Sequence, residues 1–427
     1  MLPWPGRYDL FRESLEAKPD NWLVRLVRLG TKIARNPLDT VEKMRRLVLL
    51  LSAIVALDIM FFAALAPLLP HFVSEYGLSK GAAGVLSATY AAGVLAASLP
   101  GGVAASRFGP RRAALGGVAL TAAASLAFAL SHDVWMLGAA RLLQGVGSAF
   151  SWSGALAWLV AAAPRERRGA LIGATMGAAV FGALLGPVLG AIASVAGVRP
   201  TFLGVSVLGL GLGVWVLATP GVPAQPQPLS AFRRTDRRLL GGLWLLVLPA
   251  LLFGVLAVLV PLKLHAHGWG GVAIGAVFLA TAGLEVVLNP LLGRFSDRRG
   301  RLLPVRVALL GSVVVSLGFA WADSPALVAG LVVIAGLTYG GFYTPGMALL
   351  TDAAERQDIA PGLAFGAMNG AWAAGNVVGP AMGGWLGEVA GDSVPYLLLA
   401  LVCVLTLGAT MPWAPRYLQA RSRPSSS

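Results

Sequence analysis

The chain has 427 residues, of which 57% are hydrophobic and only 12% are charged, whereas soluble domains carry about 25% charged residues. This composition excludes an ordinary soluble domain and makes lipid the natural surroundings of most of the chain. The formal net charge of +14 fits either a nucleic acid or an anionic membrane surface as the partner.

The N-terminal arm, residues 1–46, precedes the first long apolar run, so we expect no secretory signal peptide. Between Asn21 and Pro37, apolar and basic side chains separate onto two faces of a helix. The apolar face carries Trp22, Leu26, Leu29 and Ile33, and the basic face carries Arg25, Arg28, Lys32 and Arg35. This pattern predicts an amphipathic helix that lies in the inner membrane interface as an anchor.

Twelve apolar stretches follow, each long enough to cross a bilayer as a helix. They cover approximately residues 47–72, 79–104, 112–131, 134–160, 168–194, 198–218, 239–262, 270–293, 303–322, 325–350, 361–386 and 394–413. We therefore predict an all-α integral membrane protein with twelve transmembrane helices in two six-helix bundles, 47–218 and 239–414. The proline- and arginine-rich segment 219–238 predicts a cytoplasmic linker, and the polar tail 415–427 is expected to remain unpacked in the cytoplasm.

The positions of the charges predict the orientation. With both termini in the cytoplasm, 29 of the 33 Lys and Arg residues fall in cytoplasmic segments. The exceptions are Lys80, Arg199 and Lys263 at outer loops or span ends, and Arg141 inside a span. This bias predicts a multi-pass protein of the cell (inner) membrane with both termini cytoplasmic. Because the positive charge then lies against anionic lipid, we expect the bilayer, and no nucleic acid, as a partner.

A glycine pattern, G-x8-G-x3-G-P-x2-G, occurs in the fifth span and again 193 residues later in the eleventh. Small residues on one helix face let two membrane helices approach closely, so these positions predict helix packing. The first copy is Gly173, Gly182, Gly186, Pro187 and Gly190; the second is Gly366, Gly375, Gly379, Pro380 and Gly383.

A loop pattern repeats at nearly the same distance, which indicates that the chain is a duplicated, pseudo-symmetric unit. The copy after span 2 contains Gly102, Arg107, Gly109 and Arg111, and the copy after span 8 contains Gly293, Asp297, Arg298, Gly300 and Arg301. A carboxylate that meets arginines across a turn predicts a cytoplasmic gate. Ser106 stands where the acid would be in the first copy, so the gate is expected to be weaker there.

These motifs resemble the major facilitator superfamily over roughly residues 47–414. A third motif, R-x2-Q-G-x-G, is met in span 4 by Arg141, Gln144, Gly145 and Gly147. The resemblance implies two six-helix bundles around a central cavity. The span 5 glycine pattern further resembles the drug:proton antiporter branch, which implies export in exchange for protons.

Three ionisable residues lie deep in predicted spans, where charge is costly and usually functional. They are Asp58, Arg141 and Glu285. We expect Asp58 to pair with Arg141 and to couple transport to protons, because a carboxylate changes its proton affinity when a nearby cation moves. A static ion pair is the alternative. Glu285 is expected to be a second proton site, a substrate counter-charge or a helix–helix contact.

An aromatic cavity with a carboxylate favours lipophilic cations through cation–π attraction. The expected cavity residues are Asp58, Gln144, Trp152, Tyr339, Tyr343 and Trp372. The predicted function is a proton-coupled secondary active transporter, an exporter of small lipophilic or amphipathic molecules that works by alternating access. The alternatives are a proton-coupled importer of a sugar or organic acid, and a non-transporting membrane sensor or scaffold.

Other chemistry has little support in the sequence. The single cysteine, Cys403, and four histidines at outer span ends form no metal-ligand pattern. A nucleotide-binding G-x4-G-K-[ST] loop is also missing. We therefore expect no enzyme activity, cofactor or metal, and a monomer whose partners are a small-molecule substrate and protons.

Overall fold

The computed structural model describes residues 37–164, 167–224, 237–299, 302–357 and 361–410. Within these ranges, residues 37–41, 237–238, 289–290, 292–299 and 361–363 are described by their backbone alone. The amphipathic arm before residue 37, most of the linker, the polar tail and the side chains of the second gate copy lie outside the described residues.

Fourteen helices make up almost all of the described chain. The N-terminal half contains α1 (Pro37–Ala63), α2 (Leu65–Tyr76), α3 (Lys80–Phe108), α4 (Pro110–Ala129), α5 (Val134–Ala162), α6 (Arg168–Ala196) and α7 (Val198–Ala218). The C-terminal half contains α8 (Arg237–Ala266), α9 (Gly271–Arg299), α10 (Leu302–Trp321), α11 (Pro325–Gly340), α12 (Tyr343–Arg356), α13 (Pro361–Val389) and α14 (Ser393–Thr410).

Eleven helical segments of the described chain are long and apolar enough to cross a membrane. Two of them combine consecutive helices: α1 with α2 over Glu42–Tyr76, and α11 with α12 over Pro325–Arg356. The remaining predicted span corresponds to α13, which is 29 residues long but is not among the eleven. The predicted all-α, multi-pass membrane fold is confirmed.

Short polar caps define where the helices begin at one end of the bundle. The side chains of Ser79, Asp133 and Ser324 each accept a hydrogen bond from the backbone N–H three residues later, as N-cap residues do. We call this the far end. The opposite end, where α3, α7 and α14 finish, is called the linker end. There Gly109 connects α3 to α4 with a φ of +94°, which favours glycine.

The chain divides into two compact units, residues 1–49 and residues 50–427. Within the larger unit, each half contains an apolar core of its own. In the N-terminal half it is built around Phe61, Phe128 and Phe202. In the C-terminal half, the stacked rings of Phe319 and Tyr396 belong to a larger, leucine- and valine-rich core.

Most of the repeated glycines lie where two helices pack closely. A methyl group at Gly182 would collide with the carbonyl oxygen of Ala56, which brings α6 against α1. In the second copy, a methyl group at Gly375 would collide with the carbonyl oxygen of Val247, so α13 packs on α8 in the same way. By contrast, a methyl group at Gly173 would meet nothing within 4 Å. The close packing therefore begins at the second glycine of the pattern and continues to its last.

The two halves meet at the far end through α3 and α13. Lys80 Nζ lies 2.6 Å from Asp392 Oδ1, and the backbone N–H of Gly81 donates to Glu388 Oε2 over 2.7 Å. Toward the linker end, methyl groups at Gly177 and Gly370 would meet nothing within 4 Å. Among the described residues, polar contacts between the halves are thus concentrated at the far end.

Candidate functional site

Asp58 is the centre of a buried polar cluster between α1, α3 and α5. Only 3% of the residue is exposed. Tyr90 donates its hydroxyl to Asp58 Oδ1 over 3.0 Å, while Ser148 Oγ and Trp152 Nε1 both donate to Asp58 Oδ2 over 2.7 Å. Burial favours a neutral carboxyl, whereas three donated hydrogen bonds favour a carboxylate. Burial and hydrogen bonding therefore act in opposite directions on the protonation of Asp58.

Arg141 lies beside this cluster but does not pair directly with Asp58. The salt bridges of the described residues do not include this pair, which corrects the expected direct contact. Instead, the guanidinium carbon lies 5.1 Å from the centre of the Tyr90 ring, and Nη1 donates to the carbonyl oxygen of Phe61 over 3.3 Å. Tyr90 thus connects the two groups: its hydroxyl bonds the acid, and its ring lies beneath the cation.

A line of aromatic rings extends from Asp58 into the C-terminal half. The Phe62 ring centre lies 5.2 Å from that of Tyr90 and 5.0 Å from that of Trp372 on α13. The Trp372 side chain in turn interacts with Tyr343 at the start of α12. These rings join the predicted cavity residues of the two halves into one wall, with Phe62 in the middle.

Glu285 stands at the other end of this line. Its carboxylate acts electrostatically on the Tyr343 hydroxyl and lies against the small residues of α11, where a methyl group at Gly340 would sit 3.4 Å from its carboxyl carbon. The hydrogen bonds between described residues include none to this carboxylate. Two acids therefore flank the aromatic line, and only Asp58 has a described set of donors.

The other predicted cavity residues lie within the cores of the two halves. Gln144 is fully buried between α5 and α4, where its amide Nε2 lies 3.4 Å from the carbonyl oxygen of Ala124. Tyr339 is also fully buried, shares a 2.7 Å hydrogen bond with Ser316 and packs on Phe253. The structure thus brings Trp152, Tyr343 and Trp372 to the aromatic line and places Gln144 and Tyr339 behind it.

The first copy of the predicted gate has a helix-capping arrangement. Arg111 Nε donates to the carbonyl oxygen of Val216 over 3.1 Å, and its Nη2 donates to that of Leu217. These carbonyls belong to the last turn of α7, where a cation is favourable. Arg107 is exposed, and a methyl group at Gly102 would meet nothing within 4 Å. Ser106 donates to the carbonyl oxygen of Val103.

Sequence reasoning missed Tyr90, Ser148 and the contacts of Lys80. Ser148 could have been found, since Gln144, Ser148 and Trp152 recur every four residues and share a helix face with Arg141. Tyr90 carries no such signal, because it reaches Asp58 from a different helix. Lys80 and Asp392 are 312 positions apart, so only the folded chain brings them together.

The described residues contain no group of three His, Cys, Asp or Glu residues that could hold a metal ion. Cys403 is buried in α14. The chemistry available at the candidate site is therefore that of one well-bonded acid, one buried cation and several aromatic faces. Such a site can bind a proton or an organic cation.

Comparisons with known proteins agree with this architecture. Among solved structures, the xylose transporter XylE from E. coli, in a partially occluded inward-open conformation, has a TM-score of 0.72 at 14% identity and covers 88% of this chain and 98% of its own. A bacterial homolog of the human lysosomal transporter Spinster, inward-facing and unoccupied, has a TM-score of 0.69 at 15% identity, with 87% and 96% covered. At these identities the likeness concerns the fold.

Relatives by sequence are also transporters. The uncharacterized MFS-type transporter YcaD of Escherichia coli O7:K1 is 26% identical over 373 residues, which cover 85% of this chain and 94% of that protein. A probable vesicular acetylcholine transporter-B of Danio rerio is 34% identical over 154 residues. The chain spans only 30% of the length of that relative.

The family model described as Major Facilitator Superfamily matches residues 51–363 and 253–427. These matches cover most of the chain and both of its halves. The chain belongs to the major facilitator superfamily.

Proposed function

We propose that this transporter exports small lipophilic or amphipathic molecules, preferentially organic cations, in exchange for protons. The observation that carries the proposal is the buried carboxylate of Asp58, with its three donors, beside the aromatic line that joins the two halves. A charge at this depth is costly unless it has a function, and an acid beside aromatic faces suits a cation.

Proton coupling follows from competition at Asp58. A proton on Oδ2 would remove the charge that Ser148 and Trp152 now stabilise, so it would weaken both hydrogen bonds. A cation near the carboxylate would instead favour the charged form. Proton and substrate therefore exclude one another, which is the requirement for exchange.

Arg141 provides a second influence on the same proton. Its guanidinium acts on Asp58 through the intervening Tyr90 rather than by contact. A displacement of α3 relative to α5 would change both the hydroxyl bond to Asp58 and the cation–π contact with Arg141. We propose that this displacement links the conformation of the protein to the protonation of Asp58.

Alternating access requires an end that opens and closes. The ion pair of Lys80 with Asp392 and the bond of Gly81 to Glu388 support closure of the far end in this conformation. The positive-inside bias supports a cytoplasmic position for the linker end. On this orientation, the conformation closes the outer side, and substrate enters from the cytoplasm.

The partial similarity to a vesicular acetylcholine transporter supports a cationic substrate, since acetylcholine is a quaternary ammonium ion, a group that aromatic cages recognise. The similar segment covers 34% of this chain. It therefore supports the substrate class and not acetylcholine itself.

The test is transport by the purified chain in liposomes with an imposed pH gradient, using ethidium as the organic cation. We expect ethidium movement opposite to the proton gradient, and its loss when a protonophore removes that gradient. Asp58→Asn keeps the shape of the side chain but cannot exchange a proton, so it should remove gradient-driven movement.

A matched control is Asp323→Asn, which changes an exposed acid in the loop between α10 and α11 and should leave transport intact. Gradient-driven movement that persists in Asp58→Asn would overturn proton coupling through this residue. If a sugar or organic acid moves together with protons and ethidium does not move, the conclusion becomes that the chain imports a metabolite and does not export cations. Well-folded protein that moves none of these solutes in either direction would point to another substrate class or to the sensor or scaffold alternative.

A further inference from the structure

The C-terminal half contains a large apolar groove at the linker end, separate from the candidate site. It has a volume of about 430 Å³, within the roughly 300–1,000 Å³ typical of small-molecule sites. Four helices, α8, α10, α12 and α14, form its walls. They contribute Trp244, Leu302, Leu349, Leu405 and Ala409 among other side chains.

The groove opens toward the outside of the helix bundle. Leu405 is 63% exposed and Trp244 is 40% exposed, although both line the groove. In a membrane protein such exposure means contact with lipid tails. The Trp244 indole N–H donates to Thr406 Oγ1 over 3.1 Å, so the polar edge of the ring is already satisfied inside the groove.

A cation stands at the polar end of the groove. Leu302 lines the groove, and Arg306 lies one turn further along the same face of α10. Arg306 Nη2 donates over 2.7 Å to the carbonyl oxygen of Thr410, the last residue of α14, which also lines the groove. Within the described part of the chain, the buried Nε of Arg306 has no hydrogen-bond partner.

The N-terminal half provides a natural comparison, because Arg111 on α4 caps α7 as Arg306 on α10 caps α14. Arg111 uses both Nε and Nη2 on carbonyl oxygens of α7. Between the corresponding helices α1, α4, α5 and α7, a pocket beside Asp58 has a volume of about 10 Å³, with room for no more than one water molecule. In the C-terminal half, a guanidinium N–H without a partner among the described residues thus lies beside an open apolar groove.

We propose that this groove binds an anionic phospholipid of the surrounding membrane, with one acyl chain along the groove and its phosphate on Arg306. The apolar walls match an acyl chain, and the guanidinium at the membrane-surface end matches a phosphate. The groove lies apart from Asp58 and Glu285, so lipid binding there does not depend on the transport mechanism.

The experiment is a lipid titration of the purified full-length chain, followed by native mass spectrometry. The probes are dioleoyl phosphatidylglycerol, dioleoyl phosphatidylcholine with the same chains and no net charge, and glycerol phosphate with no chain. We expect phosphatidylglycerol to bind more tightly than phosphatidylcholine, and glycerol phosphate not to compete at equal concentration.

Two variants separate the phosphate from the chain. Arg306→Gln should weaken phosphatidylglycerol about tenfold, the effect of losing a hydrogen bond to a charged group, and should remove the preference over phosphatidylcholine. Ala409→Phe fills the groove and should weaken both lipids. Arg111→Gln is the matched control, since it removes the corresponding helix cap but leaves the groove intact, and should bind as the unmodified chain does.

The proposal is overturned if the unmodified chain binds the two lipids equally, if Arg306→Gln binds phosphatidylglycerol as tightly as the unmodified chain, or if glycerol phosphate competes as well as the lipid. Ala409→Phe retains the arginine and its helix cap, so it decides the case if Arg306→Gln does not fold. Unchanged lipid binding by Ala409→Phe also overturns the proposal.

Discussion

The N-terminal and C-terminal halves share their helix order and their glycine pattern but bury different chemistry. Asp58 and Arg141 are fully enclosed in the N-terminal half. At an offset of 193 residues, the corresponding C-terminal positions are Leu251 and Ile334, both apolar. The acid inside a span of the C-terminal half, Glu285, lies instead on α9, and at the same offset it corresponds to Ala92 in the first half. The duplication therefore repeats the packing and not the ionisable groups.

The physical reason is that the two kinds of position tolerate change differently. A glycine in contact with a neighbouring backbone admits no larger side chain in either copy. A buried carboxylate, by contrast, requires a set of donors, and Tyr90, Ser148 and Trp152 supply them only in the first half. One half can thus specialise in proton chemistry while the other presents apolar surface.

The largest expected difference is between substitutions of the two acids inside spans, Asp58 and Glu285. Asp58→Asn should reduce proton-driven ethidium transport by at least about 100-fold, because loss of the exchangeable proton removes the driving step. Glu285→Gln should reduce the transport rate by less than about tenfold, since the loss of a single side-chain contact typically costs no more free energy than a tenfold change in rate. Initial rates in liposomes measure both. Equal losses would mean that the halves share the proton site.

A second comparison concerns glycines of α6 and α13 that lie inside and outside the close helix contacts. Gly182→Val and Gly375→Val should each lower the stability by about 1–3 kcal/mol, the usual cost of overpacking, because the new methyl groups would meet backbone atoms of α1 and α8. Gly173→Val and Gly370→Val are the controls and should be close to neutral. Thermal unfolding of the purified variants decides; equal midpoints for all four would refute the packing role.

The donors to Asp58 should contribute less than the acid itself. Trp152→Phe keeps a ring and removes the N–H, and Ser148→Ala removes the hydroxyl. Each loses one hydrogen bond to a charged group, about 1.5–3 kcal/mol, so we expect transport to fall by roughly tenfold or more in each. Trp135→Phe, at an exposed position of α5, is the control. An unchanged rate in Trp152→Phe would exclude its indole from the coupling.

The smallest expected effect belongs to the far-end ion pair. Lys80 and Asp392 remain 40% and 30% exposed, and exposed pairs typically contribute about 0–1 kcal/mol. A double-mutant cycle of Lys80→Ala and Asp392→Ala, read by thermal unfolding, should therefore give a coupling energy below about 1 kcal/mol. A larger value would make this contact the main lock between the halves.

Much of the architecture could be predicted from local pattern. The apolar runs identify the helical spans because each run must match the bilayer thickness. The breaks near Ala64 and Gly341, which divide two spans into pairs of helices, were not predicted, since neither leaves a gap in the apolar pattern. Asp58, Trp152, Tyr343 and Trp372 were named as cavity residues, and this stays a prediction. Asp58 and Arg141 were expected to pair, whereas the salt bridges of the described residues do not include that pair.

Composition, charge position and the repeated glycines by themselves determined a duplicated, multi-pass helical protein, because membrane insertion depends on properties that are local in the chain. The tertiary structure alone decided which groups reach Asp58, that Tyr90 contacts both Asp58 and Arg141, and that an open groove in the described C-terminal half lies beside a guanidinium N–H without a partner. Those features depend on contacts between helices distant in sequence, and a pattern along one helix does not specify its neighbours.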